Sequence, residues 1–194
     1  MSPKNIKKLI KFLKEIAKLK NVERKVLITN KKRWESTAEH SFDLAMWVWI
    51  LSPYLPKKLD LAHTMKLVLM HDLVEIYAGD IFFFDYKKKE KKKMLEDKAA
   101  KKLFALASPP IKKEFTKLWH EFEAKRTKEA KVASSIDHLQ PILQNILTDG
   151  YSWRKNKITE EFIQEYKRKY MEHDPFLMEF YNALIKDAKR AKII

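Results

Sequence analysis

The chain has 194 residues, no cysteine and a formal net charge of +15. Its length fits a single domain, and the lack of cysteine excludes disulfides and thiolate metal sites, so any metal must use His and carboxylate ligands. No apolar run approaches the roughly 20 residues that a membrane span needs, and no signal-peptide pattern is seen, so we expect a cytoplasmic protein. The positive charge favours anionic partners.

The densest positive charge is the segment KKKEKKK at residues 87–93. It lacks the interleaved aromatic residues of a single-strand-binding surface and matches no DNA-reading motif. We interpret it as a solvated helix face, with attraction of a phosphate group as the alternative. Nucleic acid is therefore not an expected partner.

The sequence predicts an all-α domain, because only two glycines occur and no stretch alternates with period two. Apolar residues from Ile6 to Leu19 have helical spacing, and an irregular connector is expected up to Trp34. Ser36 and Glu39 form the capping-box pattern of a helix that ends at Pro53. The remaining predicted helices cover residues 64–79, 87–107, 111–122, 128–147 (kinked or split at Pro141) and 159–173, with residues 148–158 as a loop and a last helix after Pro175.

The segment TMKLVLMHDLVEIYAGD, residues 64–80, is apolar enough for a core helix but carries His71, Asp72 and Glu75. In a helix these three residues crowd one sector. A buried carboxylate costs several kcal/mol unless it is paired or bound to a cation. A divalent ion is the simplest partner, and a surface stripe or an ordinary buried His–Asp pair is the alternative.

Two further residues extend this pattern. His40 lies in the first turns of the helix that Ser36 begins, and Asp137 lies among apolar helical positions in VASSIDHLQPIL. Singly, His40 reads as a satisfied core histidine and Asp137 as a surface residue. Together with residues 71–72 they give the order H…HD…D on three separate helices.

In this order the chain resembles the HD-domain superfamily of metal-dependent phosphohydrolases. It is most similar to the compact branch of the bacterial 5′-deoxynucleotidases and their eukaryotic HD-domain relatives. The similar segments lie in the same order over about residues 20–150. They are STAEHSFDLA, HDLVEIYAGDI, EDKAAKKL, LWHEFEAKRTKEAK and IDHLQPILQN.

The resemblance implies that four side chains hold one divalent ion: His40, His71, Asp72 and Asp137. Two imidazoles and two carboxylates suit several metals, so the ligands do not identify the ion. The implied reaction is hydrolysis of a small-molecule nucleotide to a nucleoside and phosphate. The relatives also imply a homodimer.

The resemblance assigns roles to three more residues. Glu75 matches a glutamate beside the metal that moves a proton to or from the attacking water. Asp80 matches the aspartate of a Gly-Asp pair that positions water or protonates the leaving group, although it could simply be a turn residue. Arg24 matches an arginine that contacts the phosphate, with a surface arginine as the alternative.

The chain departs from the pattern at Lys25, where the bacterial deoxynucleotidases have a tryptophan, so selectivity for deoxyribose is in doubt. Trp34 is not an evident substitute. Phe82–Phe84 are expected to pack in the core or against a subunit, with a pocket wall or lid as the alternative. Trp119 and Trp153 are expected to anchor the core.

Three hypotheses follow. The first is a metal-dependent 5′-nucleotidase acting on nucleoside monophosphates. The second is an HD-domain hydrolase of another phosphoester, such as an alarmone or a cyclic nucleotide. The third is a basic nucleotide- or nucleic-acid-binding module without turnover.

Overall fold

The computed structural model describes residues 3–80 and 86–194, with the backbone alone for residues 86–91. This part of the chain is mainly helical and contains one antiparallel pair of strands, which confirms the all-α prediction. The helices are α1 (Pro3–Ile16), α2 (Thr37–Leu51), α3 (Leu61–Met70), α4 (Glu75–Ala78), α5 (Tyr86–Phe104), α6 (Pro109–Ala124), α7 (Lys128–Leu147), α8 (Tyr151–Lys155), α9 (Glu160–Lys167) and α10 (Pro175–Arg190). Short 3₁₀ turns occupy Ala17–Asn21, Ser52–Tyr54, His71–Val74 and Arg168–Tyr170.

The centre of the fold is formed by α2, α3 and α7, which pack against one another. Their facing side chains are fully buried; they include Leu44, Val48, Leu67, Val68, Ile136 and Leu139. Burial of each such side chain stabilises the folded state by about 1.5–3 kcal/mol. Two of these helices, α2 and α7, and the 3₁₀ turn that follows α3 carry the residues of the H…HD…D pattern.

Side-chain caps fix where several helices begin. Ser36 Oγ accepts from the Glu39 N–H at 3.2 Å, and the Glu39 carboxylate accepts from the Ser36 N–H at 2.9 Å. This confirms the capping box at α2 and the capping role of Glu39. The other caps are Asp60 for α3, Thr127 for α7, Thr159 for α9 and Asp174 for α10.

The prediction of an irregular connector before Trp34 is wrong. Glu23–Leu27 (β1) pairs with Trp34–Ser36 (β2) as a hairpin. The strands are short, and apolar and polar residues do not alternate in their sequences, ERKVL and WES, although burial alternates along β1. The sequence therefore contains no period-two hydropathy signal. Helices distant in sequence hold the hairpin: Gln144 Nε2 donates to the Leu27 carbonyl at 2.6 Å, and Ser152 Oγ donates to the Lys25 carbonyl.

Three other parts of the prediction differ from the structure. The helix predicted to reach Gly79 divides into α3, the 3₁₀ turn and α4. The loop predicted at residues 148–158 contains α8, and α7 is not split at Pro141 but continues through it as one helix. The helix predicted from the apolar spacing of the first segment is present as α1; Phe12 is its buried residue, and Ile6, Ile10 and Leu13 are exposed.

The prediction for Phe82–Phe84 lies outside the described residues. Trp119 and Trp153 are buried, as predicted for core anchors. None of the helices in the described part of the chain is long and apolar enough to cross a membrane.

Candidate active site

The structure brings the four predicted ligand residues together. Ligand atoms of His40, His71 and Asp72 all lie within 4.8 Å of one another. Asp137 Oδ1 lies 3.0 Å from His40 Nε2 and 3.7 Å from His71 Nε2. Residues almost 100 positions apart in the chain therefore converge on one point.

The 3₁₀ turn after α3 sets the direction of the central side chains. With three residues per turn, positions i and i+3 lie on the same side. Asp72, in the turn, and Glu75, at the start of α4, therefore face the same region. The predicted crowding of these carboxylates is present, although the turn is tighter than the α-helix expected from the sequence.

Hydrogen bonds hold both histidine rings in the tautomer that a metal ligand needs. His40 Nδ1 lies 3.0 Å from Gln140 Oε1, and His71 Nδ1 lies 2.8 Å from the Val68 carbonyl. Both oxygens are acceptors, so each Nδ1 carries a hydrogen and each Nε2 faces the carboxylates of the other ligand residues.

The His71 Nε2 atom is buried and lacks a hydrogen-bond partner among the described residues. It lies 3.1 Å from Asp72 Oδ2 and 3.7 Å from Asp137 Oδ1. A buried imidazole nitrogen beside two carboxylate oxygens provides the donor set that a divalent cation completes. The residues present therefore fit a metal.

The surroundings also set the charge of each ligand. Burial, aided by the positive charge of Arg24, lowers the pKa of His40 to about 4, so the ring is neutral as a ligand must be. Burial has the same effect on His71, but the carboxylates of Asp72 and Asp137 outweigh it and raise the pKa of that ring well above its usual value. The site attracts positive charge strongly.

A second layer of side chains holds the ligands; we call Arg24, Glu35 and Gln140 the ligand-support network. Arg24 Nη1 lies 3.3 Å from Asp72 Oδ2, and Arg24 Nε lies 3.2 Å from Glu35 Oε2. Gln140 Nε2 donates to Glu35 Oε1 at 3.0 Å. Gln140 also bonds His40, so the network contacts the metal-ligand cluster at two residues, Asp72 and His40.

Sequence reasoning missed Glu35 and Gln140. Glu35 is 2% exposed, and burial raises its pKa to about 7 although Arg24 opposes the shift. Gln140 follows Asp137 by three positions on α7, so the i, i+3 spacing could have placed it on the same helix face. For Glu35 the sequence offers only a charged residue directly before the Ser36 cap.

Glu75, the predicted proton carrier, lies in the wall of a cavity beside the ligand residues. Glu75 is 4% exposed, and its Oε2 accepts from Thr37 Oγ1 at 2.9 Å. Burial, with the neighbouring charges of Asp72 and Asp80, raises the pKa of Glu75 well above its usual value. Burial also raises the pKa of Asp80, although the positive charge of Arg24 acts to lower it. Both carboxyl groups lie in the wall of one cavity.

This cavity of about 530 Å³ opens onto the metal-ligand cluster and has the size of a small-molecule site. Arg24 and Lys25 line it from β1, so Arg24 is not the surface arginine of the alternative reading. Trp34 is not among the lining residues, although the Lys25 ammonium lies 5.9 Å from its ring. The remaining wall includes Lys92, Glu96, Trp119, Glu123, His138, Asn145, Trp153, Tyr166, Lys167, Lys169 and Tyr170.

Comparisons with known proteins agree with this geometry. Residues 16–176 match the family model of the HD domain. The human protein named 5′-deoxynucleotidase HDDC2 is 31% identical over 137 residues, which cover 70% of this chain and 66% of that protein. The bovine protein of the same name is 30% identical over 145 residues, which cover 74% and 69%.

Solved structures give the same result for the fold. The crystal structure of a predicted metal-dependent phosphohydrolase from Magnetospirillum magnetotacticum is similar over 98% of this chain and 95% of that chain, with 33% identity and a TM-score of 0.90. A Pyrococcus horikoshii protein with 22% identity shares the fold, with a TM-score of 0.62.

Proposed function

Because the chain belongs to the HD domain family, we propose that it is a metal-dependent phosphohydrolase that converts (deoxy)nucleoside 5′-monophosphates to a nucleoside and phosphate. One observation carries the proposal: the buried, unpartnered Nε2 of His71, which points between two carboxylates at the wall of a ligand-sized cavity. The names of the curated relatives supply the substrate class.

We assign the metal to His40, His71, Asp72 and Asp137. A divalent ion bound there supplies a Lewis acid that lowers the pKa of a water and offsets charge on the phosphoryl group. Two imidazoles and two carboxylates accept several first-row ions, so metal analysis of the purified protein has to identify it.

The protein's own residues supply binding and proton transfer. Arg24 is the predicted phosphate ligand, and its guanidinium also fixes Asp72 through their 3.3 Å contact. Thr37 donates to Glu75 Oε2, which leaves Oε1 as the oxygen that exchanges a proton, and the raised pKa of Glu75 favours its protonated form. Asp80 lies in the same wall and orients water or the leaving group.

A panel of ribo- and deoxyribonucleoside monophosphates, assayed for phosphate release with Mn²⁺, Co²⁺ or Mg²⁺, tests the activity. Glu75→Gln should lower kcat by about 10²- to 10⁴-fold while metal content is retained. Glu123→Gln, a carboxyl change in the outer wall of the same cavity, is the matched control and should remain active. Absence of phosphate release from metal-loaded wild type would refute the proposal.

Other substrates and binding without turnover are separable in the same assay. Alarmones and cyclic nucleotides in the panel test the second hydrolase hypothesis. A binding module would ignore Glu75→Gln and would lose nucleic-acid affinity steeply as salt rises. Matched ribo- and deoxyribonucleotide pairs measure the sugar preference that Lys25 leaves in doubt.

We also infer that the protein is a homodimer in the cytoplasm. Large apolar side chains project into solvent from α2 and the turn after it: Phe42, Trp49, Ile50 and Tyr54. A second copy covering them is the expected arrangement. Light scattering of wild type and Trp49→Glu tests the dimer, and imaging of the tagged protein in cells tests the location.

A further inference from the structure

Lys167 is a buried cation in the active-site cavity that the H…HD…D pattern does not include. It is the last residue of α9, is 7% exposed and lines the cavity. Its Nζ donates to the main-chain carbonyl of His138 at 3.0 Å. His138 directly follows the metal-ligand residue Asp137, so the ammonium enters the site from a helix outside the motif.

A phosphate group entering this cavity meets strong negative charge. Four carboxyl groups line the inner wall: Asp72, Glu75, Asp80 and Asp137. The Arg24 guanidinium already contacts Glu35 and Asp72, and the Lys92 ammonium lies 3.5 Å from the Glu96 carboxylate. These two cations are therefore shared with protein carboxylates, and a phosphate dianion needs a further positive group. Among the other described lysines that line the cavity, Lys167 is the buried one; Lys125 is half-buried, and Lys25, Lys93 and Lys169 are exposed.

The position of Lys167 suits this need. Burial lowers its pKa to about 8, and the charges of Asp137 and Arg24 act on it in opposite directions. The ammonium therefore lies within electrostatic range of both residues and keeps its charge at neutral pH. It approaches the cluster from α9, whereas Arg24 approaches from β1.

A purely structural role does not require this charge. Pro141 has no N–H, so α7 lacks the helix hydrogen bond to the Asp137 carbonyl, and Lys167 bonds the neighbouring carbonyl of His138. A neutral donor would serve there at lower cost, because desolvating an ammonium is far more expensive than desolvating an amide.

We propose that Lys167 is a phosphate-binding residue whose ammonium donates to a non-bridging oxygen of the substrate's phosphate, in the cavity that Arg24 also lines. The assignment rests on the proposed function for the substrate, but it predicts binding of inorganic phosphate whatever the turnover. The product phosphate would occupy the same position.

The test compares Lys167→Met with Lys169→Met, which changes an exposed lysine of the same cavity wall two positions later. The probe is inorganic phosphate, measured by the rise in Tm of the metal-loaded protein and by inhibition of nucleotide hydrolysis. Lys167→Met should weaken phosphate binding by about 10- to 100-fold, the range for a hydrogen bond to a charged group. Lys169→Met should behave like wild type, and metal content should be unchanged in both.

Equal phosphate responses in wild type and Lys167→Met would overturn the assignment, as would a wild type that shows no phosphate response. If Lys167→Met does not fold, Lys167→Gln replaces it, since it keeps an N–H donor and removes the charge. Weak phosphate binding by this folded variant supports the role, and wild-type binding overturns it. If wild type binds phosphate but hydrolyses no nucleotide, the proposed function fails and the Tm measurement still decides the role of Lys167.

Discussion

Replacing Gln140 by Met should weaken both the fold and the metal site, because one side chain serves both. Gln140 is 2% exposed and makes three hydrogen bonds: to His40 at 3.0 Å, to Glu35 at 3.0 Å and to Asp43 at 3.1 Å. Methionine has a similar length but no amide. His40 Nδ1 would then lose the acceptor that fixes its tautomer.

The magnitude follows from the burial of the partners. His40 and Glu35 are buried, and each group left unpaired costs about 1–3 kcal/mol, whereas half-buried Asp43 can bond water instead. We therefore expect the free energy of unfolding to fall by about 2–6 kcal/mol. Metal affinity should fall by about 10- to 100-fold, as when an outer-layer partner of a ligating histidine is removed.

Urea denaturation and metal titration against a competing chelator measure the two effects. Gln144→Met is the matched control, because Gln144 lies one turn along α7 and bonds the Leu27 carbonyl instead of a ligand. It should lose stability but lose less metal affinity than Gln140→Met, because the acceptor of His40 Nδ1 is unchanged. If Gln140→Met binds metal as tightly as this control, the ligand-support network does not orient His40 and the reasoning is refuted.

Three further perturbations test other parts of the structure. Glu39→Gln should lower stability by about 0.5–1 kcal/mol near neutral pH. Hydrogen bonding to Arg33 lowers the pKa of Glu39 from 4.5 to about 2, so the contribution of the carboxylate is complete above pH 4.5 and is lost as pH falls towards 2. A stability difference in urea denaturation that does not change with pH would contradict this. Gly150→Ala should lower the free energy of unfolding by about 1–3 kcal/mol, because φ is +64° and the new Cβ would lie 2.7 Å from Ile193 Cβ. Thermal denaturation measures this, and an unchanged Tm would show that Ile193 can move away without loss of stability. Removing metal with a chelator should abolish turnover and lower Tm, and adding a divalent ion should restore both. Activity that survives exhaustive chelation would exclude the proposed chemistry.

The sequence anticipated what depends on short-range pattern. The helices follow from apolar spacing and caps, and polar residues within an apolar segment single out His71, Asp72 and Glu75. The full ligand set, with His40 and Asp137, follows from the resemblance to the HD-domain superfamily. Glu35 and Gln140 were missed because their significance lies in a contact between positions 105 apart in the chain. The 3₁₀ turn was missed because apolar spacing over four residues does not separate it from an α-helix.

The β1–β2 hairpin carries Arg24 on one strand and Glu35 on the other. Two strands alone are marginally stable in water, so the bonds from Gln144 and Ser152 decide how long this hairpin stays docked. Each undocking would remove the arginine and its carboxylate partner from the ligands in one event. The apparent affinity for substrate would then scale with the fraction of molecules in which the hairpin is closed.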